Sequence, residues 1–436
     1  MTPGLAHPAS PVAAAAAAAA AALNPLNVVI VNDHLYPDGG ADMVALASAD
    51  ALAQLGANVT YFAADSIRPD DVTQRPYAVA RTGQLDLATD PNRLRAATQG
   101  VWNSRAAHEL RTLLGGFDPA RTVVHVHSWT KALSSSVFRA AGEAGFPVLC
   151  TLHDYFSVCP NGLLFNSQTG SNCLLRPMSV ACVATHCDPR AYAHKLYRVA
   201  RQSVQQRFGG LPGHVDEFVT ISGFSERLAA QHLPIDSHFS RVRNPIDVFE
   251  RPEPADPGAS STFVMVARMF APKGWSTFLE ACELAGVKGL AVGDGPDRAA
   301  LEQRFRSARF VGQIDRRSVT AAVRASRALV MASLWHETQG LVIAEAAAQG
   351  IPAIVADACG GAETVEHGVT GLLFRQGNVD SLADALRQLA GDASLARRMG
   401  LEAAQRFWAD APTPATHARE LLAVYGQVLA RRAAQC

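Results

Sequence analysis

The sequence predicts an α/β protein made of two doubly wound, Rossmann-like domains that face each other across a cleft. Three observations lead to this fold class. Short β-branched runs alternate with helical segments along most of the chain, as parallel sheets covered by helices require. The alternation stops once, at a stretch rich in proline and glycine near residue 250, and then begins again. The chain has 436 residues, more than one ordinary core, so two domains are expected.

The first half supplies one set of strands and helices. An apolar run at 28–31, a glycine turn at 36–40 and a helical segment form a strand, turn and helix unit. Further β-branched runs follow at 59–62, 122–127, 147–152 and 217–222. We therefore predict a first domain over 25–243 and an interdomain linker over 244–257.

The second half repeats the pattern. We predict a second domain over 258–410, followed by a C-terminal segment over 411–436 with a helix at 414–430. The predicted strands of the second domain lie at 262–266, 290–292, 310–311, 328–331, 353–355 and 372–374. In open sheets of this kind, ligands bind at the carboxyl ends of the strands.

Composition and charge narrow the function classes. The formal net charge is zero, which argues against a nucleic-acid binder that needs a strong cationic field. The alanine-rich start at 1–24 lacks Lys and Arg and is too short to span a bilayer, so we expect it to be disordered. No later stretch has eighteen consecutive strongly apolar residues. We predict a cytoplasmic protein whose contact with the inner face of the membrane, if any, is peripheral.

The segment WHETQGLVIAEAAAQGIP, at 335–352, is the most informative motif. Gly340 allows a sharp turn before an apolar helix, and the N-terminus of such a helix favours a diphosphate. Glu337 in the turn can accept hydrogen bonds from sugar hydroxyls, and Glu345, inside the helix, from ribose hydroxyls. An isolated pair of glutamates is more often a solvated loop residue and a helix-surface charge, so the interpretation depends on other residues.

A cationic pair follows the predicted strand at 262–266. Arg268 and Lys273 leave the carboxyl end of that strand five residues apart, so both can reach one diphosphate. Arginine binds phosphate bidentately and lysine adds a compact charge, which together offset the charge on a leaving nucleotide diphosphate. Two surface cations are an equally good interpretation of this pair taken alone.

Several motifs occur in a definite order along both halves. In chain order they are Gly39-Gly40, His153-Asp154, Ile221-Ser222, Asn244-Pro245, Arg268 with Lys273, Glu337 with Glu345, and Gly360-Gly361. In this combination the chain resembles the family 4 retaining glycosyltransferases of the GT-B fold, or glycosyl transferases group 1, from about residue 28 to residue 407. The resemblance implies that the first domain binds the acceptor, the second binds the donor, and the C-terminal helix braces the first domain.

The resemblance also implies roles for individual residues. His153 and Glu337 are the implied catalytic residues. The implied donor-binding residues are Gly39, Gly40, Arg268, Lys273, Gly340, Glu345, Gly360 and Gly361. The implied reaction moves a hexose from a nucleotide-diphosphate sugar to a glycan, lipid-linked or small-molecule acceptor, with retention and with no cofactor or catalytic metal. The family usually has an aromatic residue where this chain has Gln339, so the sugar preference stays open.

A group of cysteines follows His153. Cys159, Cys173, Cys182 and Cys187 lie within one short stretch, but their spacing is looser than the paired CxxC of a strong zinc motif. Buried or free thiols are therefore favoured, and a structural zinc site remains the alternative. The other cysteines are isolated thiols, at Cys150, Cys282, Cys359 and Cys436.

A basic run follows these cysteines. Arg190, Lys195, Arg198, Arg201 and Arg207 have near-helical spacing, so they could contact an anionic lipid or a phosphorylated acceptor. A solvated helix face is the favoured interpretation.

Other function classes fit the sequence less well than a transferase. The turn Gly293-Asp294-Gly295 resembles part of a dinucleotide motif, but Arg298 stands where the third glycine belongs, so a donor-site loop is favoured over nicotinamide binding. A nucleotide-sugar epimerase of the same fold and a non-catalytic nucleotide-sugar-binding protein remain alternatives. The nucleotide base, the sugar and the acceptor depend on a few loop contacts that the sequence leaves open.

Overall fold

The structure is a computed structural model that describes residues 26–435 except 38, 65–74, 247 and 249. The predicted disordered start at 1–24 lies outside the described residues. The same holds for Asp38 of the predicted glycine turn, Asp247 of the predicted linker and the isolated thiol Cys436.

The described residues of the first half contain nine strands. They are β1 (Asn27–Asn32), β2 (Asn58–Ala63), β3 (Ala78–Arg81), β4 (Thr122–Val126), β5 (Val148–Thr151), β6 (Phe165–Asn166), β7 (Ser171–Asn172), β8 (Glu217–Thr220) and β9 (Phe239–Arg241). Seven of them form a parallel sheet in the order β3-β2-β1-β4-β5-β8-β9, and β6 pairs with β7 as a small hairpin.

The second half contains a second parallel sheet of six strands. They are β10 (Thr262–Val266), β11 (Lys288–Val292), β12 (Arg309–Gly312), β13 (Ala328–Met331), β14 (Ala353–Ala356) and β15 (Gly371–Phe374). Their order is β12-β11-β10-β13-β14-β15, so this sheet is also doubly wound.

Fourteen α-helices occur among the described residues. They are α1 (Gly40–Gln54), α2 (Arg93–Val101), α3 (Ser104–Leu114), α4 (Ser136–Glu143), α5 (Val180–Ala184), α6 (Tyr192–Arg207), α7 (Gly223–Ala230), α8 (Trp275–Ala285), α9 (Arg298–Arg304), α10 (Arg316–Arg324), α11 (Leu341–Ala348), α12 (Val379–Gly391), α13 (Ala393–Ala409) and α14 (Pro414–Ala433). None of these described helices combines the length and the apolar character needed to cross a bilayer.

Both faces of each sheet are covered, which explains why the central strands are continuous apolar runs. In β1, Val29 packs into one core and Val28 into the core on the opposite face. The C-terminal helix α14 closes that second core, because Leu421 and Tyr425 are buried there beside α1. The last helix of the chain therefore packs on the first sheet.

Three short elements were not predicted from the sequence. Strands β3 and β9 lie at the two edges of the first sheet and contain four and three residues. The hairpin strands β6 and β7 contain two residues each. Segments this short show no usable periodicity, and edge strands are only partly buried, so pairing with a neighbour defines them.

The two sheets meet through loops at the carboxyl ends of their strands. Trp335, in the loop after β13, packs into the core of the first half, and its ring lies edge-on to Tyr155 at 6.4 Å. The Thr338 hydroxyl donates to the carbonyl oxygen of His153 at 2.9 Å, and the Ser222 hydroxyl donates to the carbonyl oxygen of Thr338 at 2.5 Å. These contacts join the loops of β5, β8 and β13.

Candidate functional site

A cavity of about 1500 Å³ lies between the two sheets. Gly40, at the start of α1, lines it from the first half. Arg268, Glu345 and the turn Gly293-Asp294-Gly295 line it from the second half. These residues follow β1, β10, β11 and β13, so the cavity lies at the carboxyl ends of both sheets, where parallel sheets bind ligands.

The loop after β10 carries the predicted cationic pair. Arg268 is exposed on the cavity wall, and its guanidinium makes no ion pair with any residue that the structure describes. Lys273 is different, because its ammonium is bonded to the Glu337 carboxylate and lies 5.6 Å from the centre of the Trp335 ring. The loop therefore presents one available cation and one that is held in place.

Gly274 fixes the position of Lys273. Its φ is 76°, in the left-handed region, and a Cβ at this position would lie 1.9 Å from the carbonyl oxygen of Ala332. Gly286 has a similar φ of 69°, but no atom lies within 4 Å of the corresponding Cβ position. Both glycines therefore adopt a left-handed backbone, but only Gly274 packs so closely on another residue that a Cβ would clash.

We expect Gly274→Ala to lower the free energy of unfolding by about 3 kcal/mol or more, because it adds a steric clash to left-handed backbone strain. Gly286→Ala is the matched control and should cost only about 1–2 kcal/mol, from the strain alone. Urea denaturation of both variants measures the difference. Equal losses for the two variants would show that the β10 loop moves freely away from Ala332.

Glu337 is held by two neighbours. One carboxylate oxygen bonds the Lys273 ammonium and the other bonds the Ser333 hydroxyl. The Glu337 side chain is 16% exposed, so it is largely shielded from solvent. This arrangement restricts the carboxylate to one orientation.

Glycines allow the neighbouring loops to approach each other closely. Gly340 precedes α11, and a Cβ there would lie 2.6 Å from the Met331 sulfur. A Cβ at Gly360 would lie 2.2 Å from the carbonyl oxygen of Thr338, and one at Gly361 would lie 2.6 Å from Ile343. Gly360 therefore excludes a Cβ because it meets backbone, whereas at Gly340 and Gly361 the flexible ends of Met331 and Ile343 would have to move.

The predicted glycine turn of the first half lies opposite that helix. A Cβ at Gly40 would lie 3.8 Å from Leu341, the first residue of α11, whereas a Cβ at Gly39 would meet only Asp42 of its own helix. One turn further along α11, Glu345 forms an ion pair with Arg316 at 3.1 Å. The start of α1 and the start of α11 thus face each other across the cleft.

His153 follows β5, is half-buried and contacts a buried group of histidines. Its Nε2 lies 3.0 Å from Nδ1 of His127, which follows the adjacent strand β4. Burial lowers the pKa of His153 to about 4, although the nearby Asp42 carboxylate opposes the shift. Burial also lowers the pKa of His127 well below its usual value. His153 is therefore a neutral hydrogen-bonding group at physiological pH.

Two family models match consecutive parts of the chain. The model described as Glycosyltransferase Family 4 matches residues 38–249, and the model described as Glycosyl transferases group 1 matches residues 260–392. One match therefore falls on each sheet, and together they span most of the protein. The chain belongs to the family 4, group 1 glycosyltransferases.

Curated relatives of this glycosyltransferase match it over different lengths. The 2-deoxystreptamine N-acetyl-D-glucosaminyltransferase of Niallia circulans is 32% identical over 151 residues, which is 32% of this chain and 39% of that protein. The D-inositol 3-phosphate glycosyltransferase of Jonesia denitrificans is 26% identical over 430 residues, 89% of this chain and 91% of that one. The first match thus spans about two fifths of its relative, and the second spans nearly all of it.

Solved structures show that the glycosyltransferase has the GT-B fold. The sucrose-phosphate synthase of Thermosynechococcus elongatus superposes with a TM-score of 0.69 at 18% identity, covering 93% of this chain and all of that one. HepE of Anabaena, in complex with UDP-glucose, superposes with a TM-score of 0.60 at 17% identity, covering 94% and 100%. The predicted fold class is confirmed.

The predicted site residues of the glycosyltransferase fall into three places. Gly40, Arg268 and Glu345 line the large cavity. Lys273, Glu337 and His153 lie in the contact region between the domains, where Thr338 bonds the His153 carbonyl. Gly360 lines a second cavity of about 630 Å³ behind α11, together with Gln339. Gln339 also accepts a hydrogen bond from Asn244 at 2.6 Å.

Four residues around the site were not singled out from the sequence. They are His127, which pairs with His153, Arg316, which pairs with Glu345, Ser333, which holds Glu337, and Thr338, which joins the domains. Only Ser333 and Thr338 had a sequence signal, because both lie beside Glu337 in the loop after β13. His127 and Arg316 are distant in sequence from their partners.

In the cysteine stretch of the glycosyltransferase, two thiols contact a lysine ammonium, which is not the arrangement of a metal site. The ammonium of Lys195, which is 1% exposed, lies 3.5 Å from Cys182 Sγ and 3.3 Å from Cys187 Sγ. Among the described residues no three His, Cys, Asp or Glu side chains converge as metal ligands. The alternative of a zinc site at Cys159, Cys173, Cys182 and Cys187 does not fit, because a buried ammonium between two thiols repels another cation.

Proposed function

We propose that this glycosyltransferase transfers a hexose from a nucleotide-diphosphate sugar to a glycan, lipid-linked or small-molecule acceptor, with retention at the anomeric carbon and without a metal ion. The convergence of three features at one end of the donor domain carries the proposal. They are Arg268 on the cavity wall, the Lys273–Glu337 pair and the N-terminus of α11. Together they provide fixed positive charge for a diphosphate and a carboxylate for a sugar.

The relatives support a nucleotide-sugar donor. HepE of Anabaena, which shares the fold, binds UDP-glucose, and we infer a donor of the same chemical class for this chain. Its diphosphate would lie between Arg268 and the start of α11, facing Gly40. Glu345 would bind the ribose, and Arg316 would then orient the Glu345 carboxylate.

The proposed mechanism uses groups that are already in position. Arg268, Lys273 and the dipole of α11 offset the charge that develops on the departing β-phosphate. That phosphate oxygen takes the acceptor proton on the same face of the sugar, which gives retention. Glu337 is bonded on both oxygens, so it fixes the sugar ring, and the neutral imidazole of His153 positions hydroxyl groups.

Thermal stabilisation of the purified protein tests the donor site. We expect one of the UDP, GDP or ADP sugars to raise the melting midpoint by about 5 °C at a concentration near 100 times its Kd. The same donor should stabilise Arg268→Ala and Glu345→Ala variants much less. Stabilisation by NAD alone, or by no nucleotide, would contradict the proposal.

Activity assays separate the transferase from its alternatives. A transferase releases nucleotide diphosphate in proportion to added acceptor, whereas an epimerase converts the donor with no acceptor present. A binding protein would be stabilised by the donor without turning it over. The cytoplasmic location and the peripheral membrane contact remain predictions, which cell fractionation can test.

A further inference from the structure

The first-domain wall of the large cavity is strongly basic. Its cationic side chains are Arg93, Lys131, Arg190, Arg198 and Arg201, and the carboxylate that faces them from the same wall is Asp86. This wall lies opposite Arg268, so its charge is separate from the cation assigned to the donor diphosphate. Five cations against one carboxylate favour an anionic ligand here.

Helix α6 supplies two of these cations, Arg198 and Arg201, and the structure corrects the interpretation of its basic run. The sequence favoured a solvated helix face for Arg190 to Arg207. Instead, Arg201 is 8% exposed and Lys195 is 1% exposed, on surfaces that face the rest of the first domain. Arg207, in the last turn, is exposed as predicted. The helix therefore places buried positive charge beside the cleft.

Arg201 has an unusual set of partners. Its two terminal nitrogens donate to the carbonyl oxygens of Thr130 at 3.3 Å and Pro160 at 3.5 Å, and its guanidinium lies 4.9 Å from the centre of the Phe156 ring. Its buried Nε has no hydrogen-bond partner among the described residues. A guanidinium this deeply buried is costly without a countercharge.

The neighbouring carboxylates leave this charge uncompensated. Asp188 is fully buried and accepts ion pairs from both Arg190 and Arg198, each at 3.2 Å. Arg201 forms no ion pair with a described residue, and the carboxyls of Asp154 and Asp33 act on it only at longer range. Burial and the charge of Arg198 lower the pKa of Arg201 to about 10. One carboxylate thus serves two arginines and the third has none.

We propose that the acceptor carries an anionic group, a phosphate or a carboxylate, which binds Arg198 and Arg201 on this wall. The inference rests on the proposed transferase function, because it places the acceptor in the first-domain half of the cleft. Arginine binds both oxyanions in a bidentate, charge-assisted geometry. An oxyanion here supplies the countercharge that Arg201 lacks and holds the acceptor opposite the donor diphosphate.

Calorimetric titration with matched small probes tests this site. The probes are glucose, glucose 6-phosphate and glucuronate, with the donor nucleotide at saturation so that the Arg268 site is filled. We expect at least one acidic probe to bind at least tenfold more tightly than glucose and to weaken as salt is raised. Arg198→Gln and Arg201→Gln should each weaken that binding tenfold or more. Arg207→Gln, on the same helix but exposed, should leave it unchanged.

Binding to lipid vesicles shows whether the anion comes from a lipid headgroup or from a soluble acceptor. If the soluble acidic probes fail, but phosphatidylglycerol vesicles bind wild type and not Arg198→Gln, the anion is a lipid headgroup. If neither binds while the donor still stabilises the protein, the anionic acceptor is excluded and the transferase function stands. If the donor also fails, the proposed function itself is overturned. Arg198 is partly exposed, so we expect Arg198→Gln to fold. This variant therefore tests the site even if Arg201→Gln does not fold.

Discussion

Replacing Arg268 with alanine is expected to lower kcat/KM for sugar transfer by about 10²–10³-fold, the usual loss when one fixed donor to a developing negative charge is removed. The guanidinium lines the cavity and makes no ion pair with any described residue. Its positive charge is therefore available to the leaving diphosphate. Because the side chain is exposed and has no ion-pair partner among the described residues, the melting midpoint of the unliganded variant should remain unchanged.

Acceptor-dependent release of nucleotide diphosphate measures this effect. Arg309→Ala is a matched control, since Arg309 is an exposed arginine on the edge strand β12 and does not line the cavity. The control should keep wild-type kcat/KM. If Arg268→Ala also keeps it, the positive charge must come from elsewhere, and Lys273 becomes the first alternative. A comparable loss in both variants would point to a general effect of net charge.

The second large effect concerns pH and the buried histidines. Burial lowers the pKa of His125 to about 3 and that of His417 to about 4. These folded-state pKa values lie below the unfolded value of about 6.5. The neutral histidines therefore contribute their full share of the free energy of unfolding above pH 6.5, and this contribution is lost as the pH falls. Protonation of each of these two histidines should lower the free energy of unfolding by about 2 kcal/mol when the pH falls from 7 to 5. His127 shifts in the same direction.

The carboxyl group of Asp154 opposes this loss. Burial raises the pKa of Asp154 to about 6, so its protonation stabilises the folded protein as the pH falls and returns about 1 kcal/mol by pH 5. His153, whose pKa is lowered to about 4, adds a similar loss, so the net loss expected from His125, His153, His417 and Asp154 is about 5 kcal/mol. Urea unfolding at pH 7 and at pH 5 measures it.

A variant isolates the histidine contribution. His417→Gln lowers stability at pH 7 by removing hydrogen bonds to Ser48 and to the carbonyl of Arg243, but it should reduce the change between pH 7 and pH 5 by about 2 kcal/mol. His108→Gln, at an exposed position, should leave that change as in wild type. An unaltered pH dependence in His417→Gln would show that the pKa of this imidazole is the same in the folded and the unfolded protein.

The same cluster bears on the reaction. His153 is neutral at pH 7 and is bonded to His127, which is also neutral. A neutral imidazole can position an acceptor hydroxyl but does not supply a positive charge to the leaving group. This division of roles leaves charge stabilisation to Arg268, Lys273 and the start of α11.

The sequence by itself determined the parts of the protein that are local along the chain. The alternation of apolar strands and helices predicted two doubly wound sheets, because each buried strand shows its character within a few residues. Glu337, Gly340 and Glu345 occupy one loop and the helix after it, so their proximity follows from chain connectivity. The short edge strands β3 and β9 were missed because only pairing with a neighbour defines them.

The tertiary structure alone decided which distant groups meet. His127 and His153 lie 26 residues apart and come together because β4 and β5 are adjacent parallel strands that end at the same edge. Helical spacing gave Lys195 and Arg201 the appearance of surface residues, yet the packing of α6 buries both, one between two thiols and one beside the cleft. Periodicity reveals which residues share a helix face, whereas burial depends on what the rest of the chain places against that face.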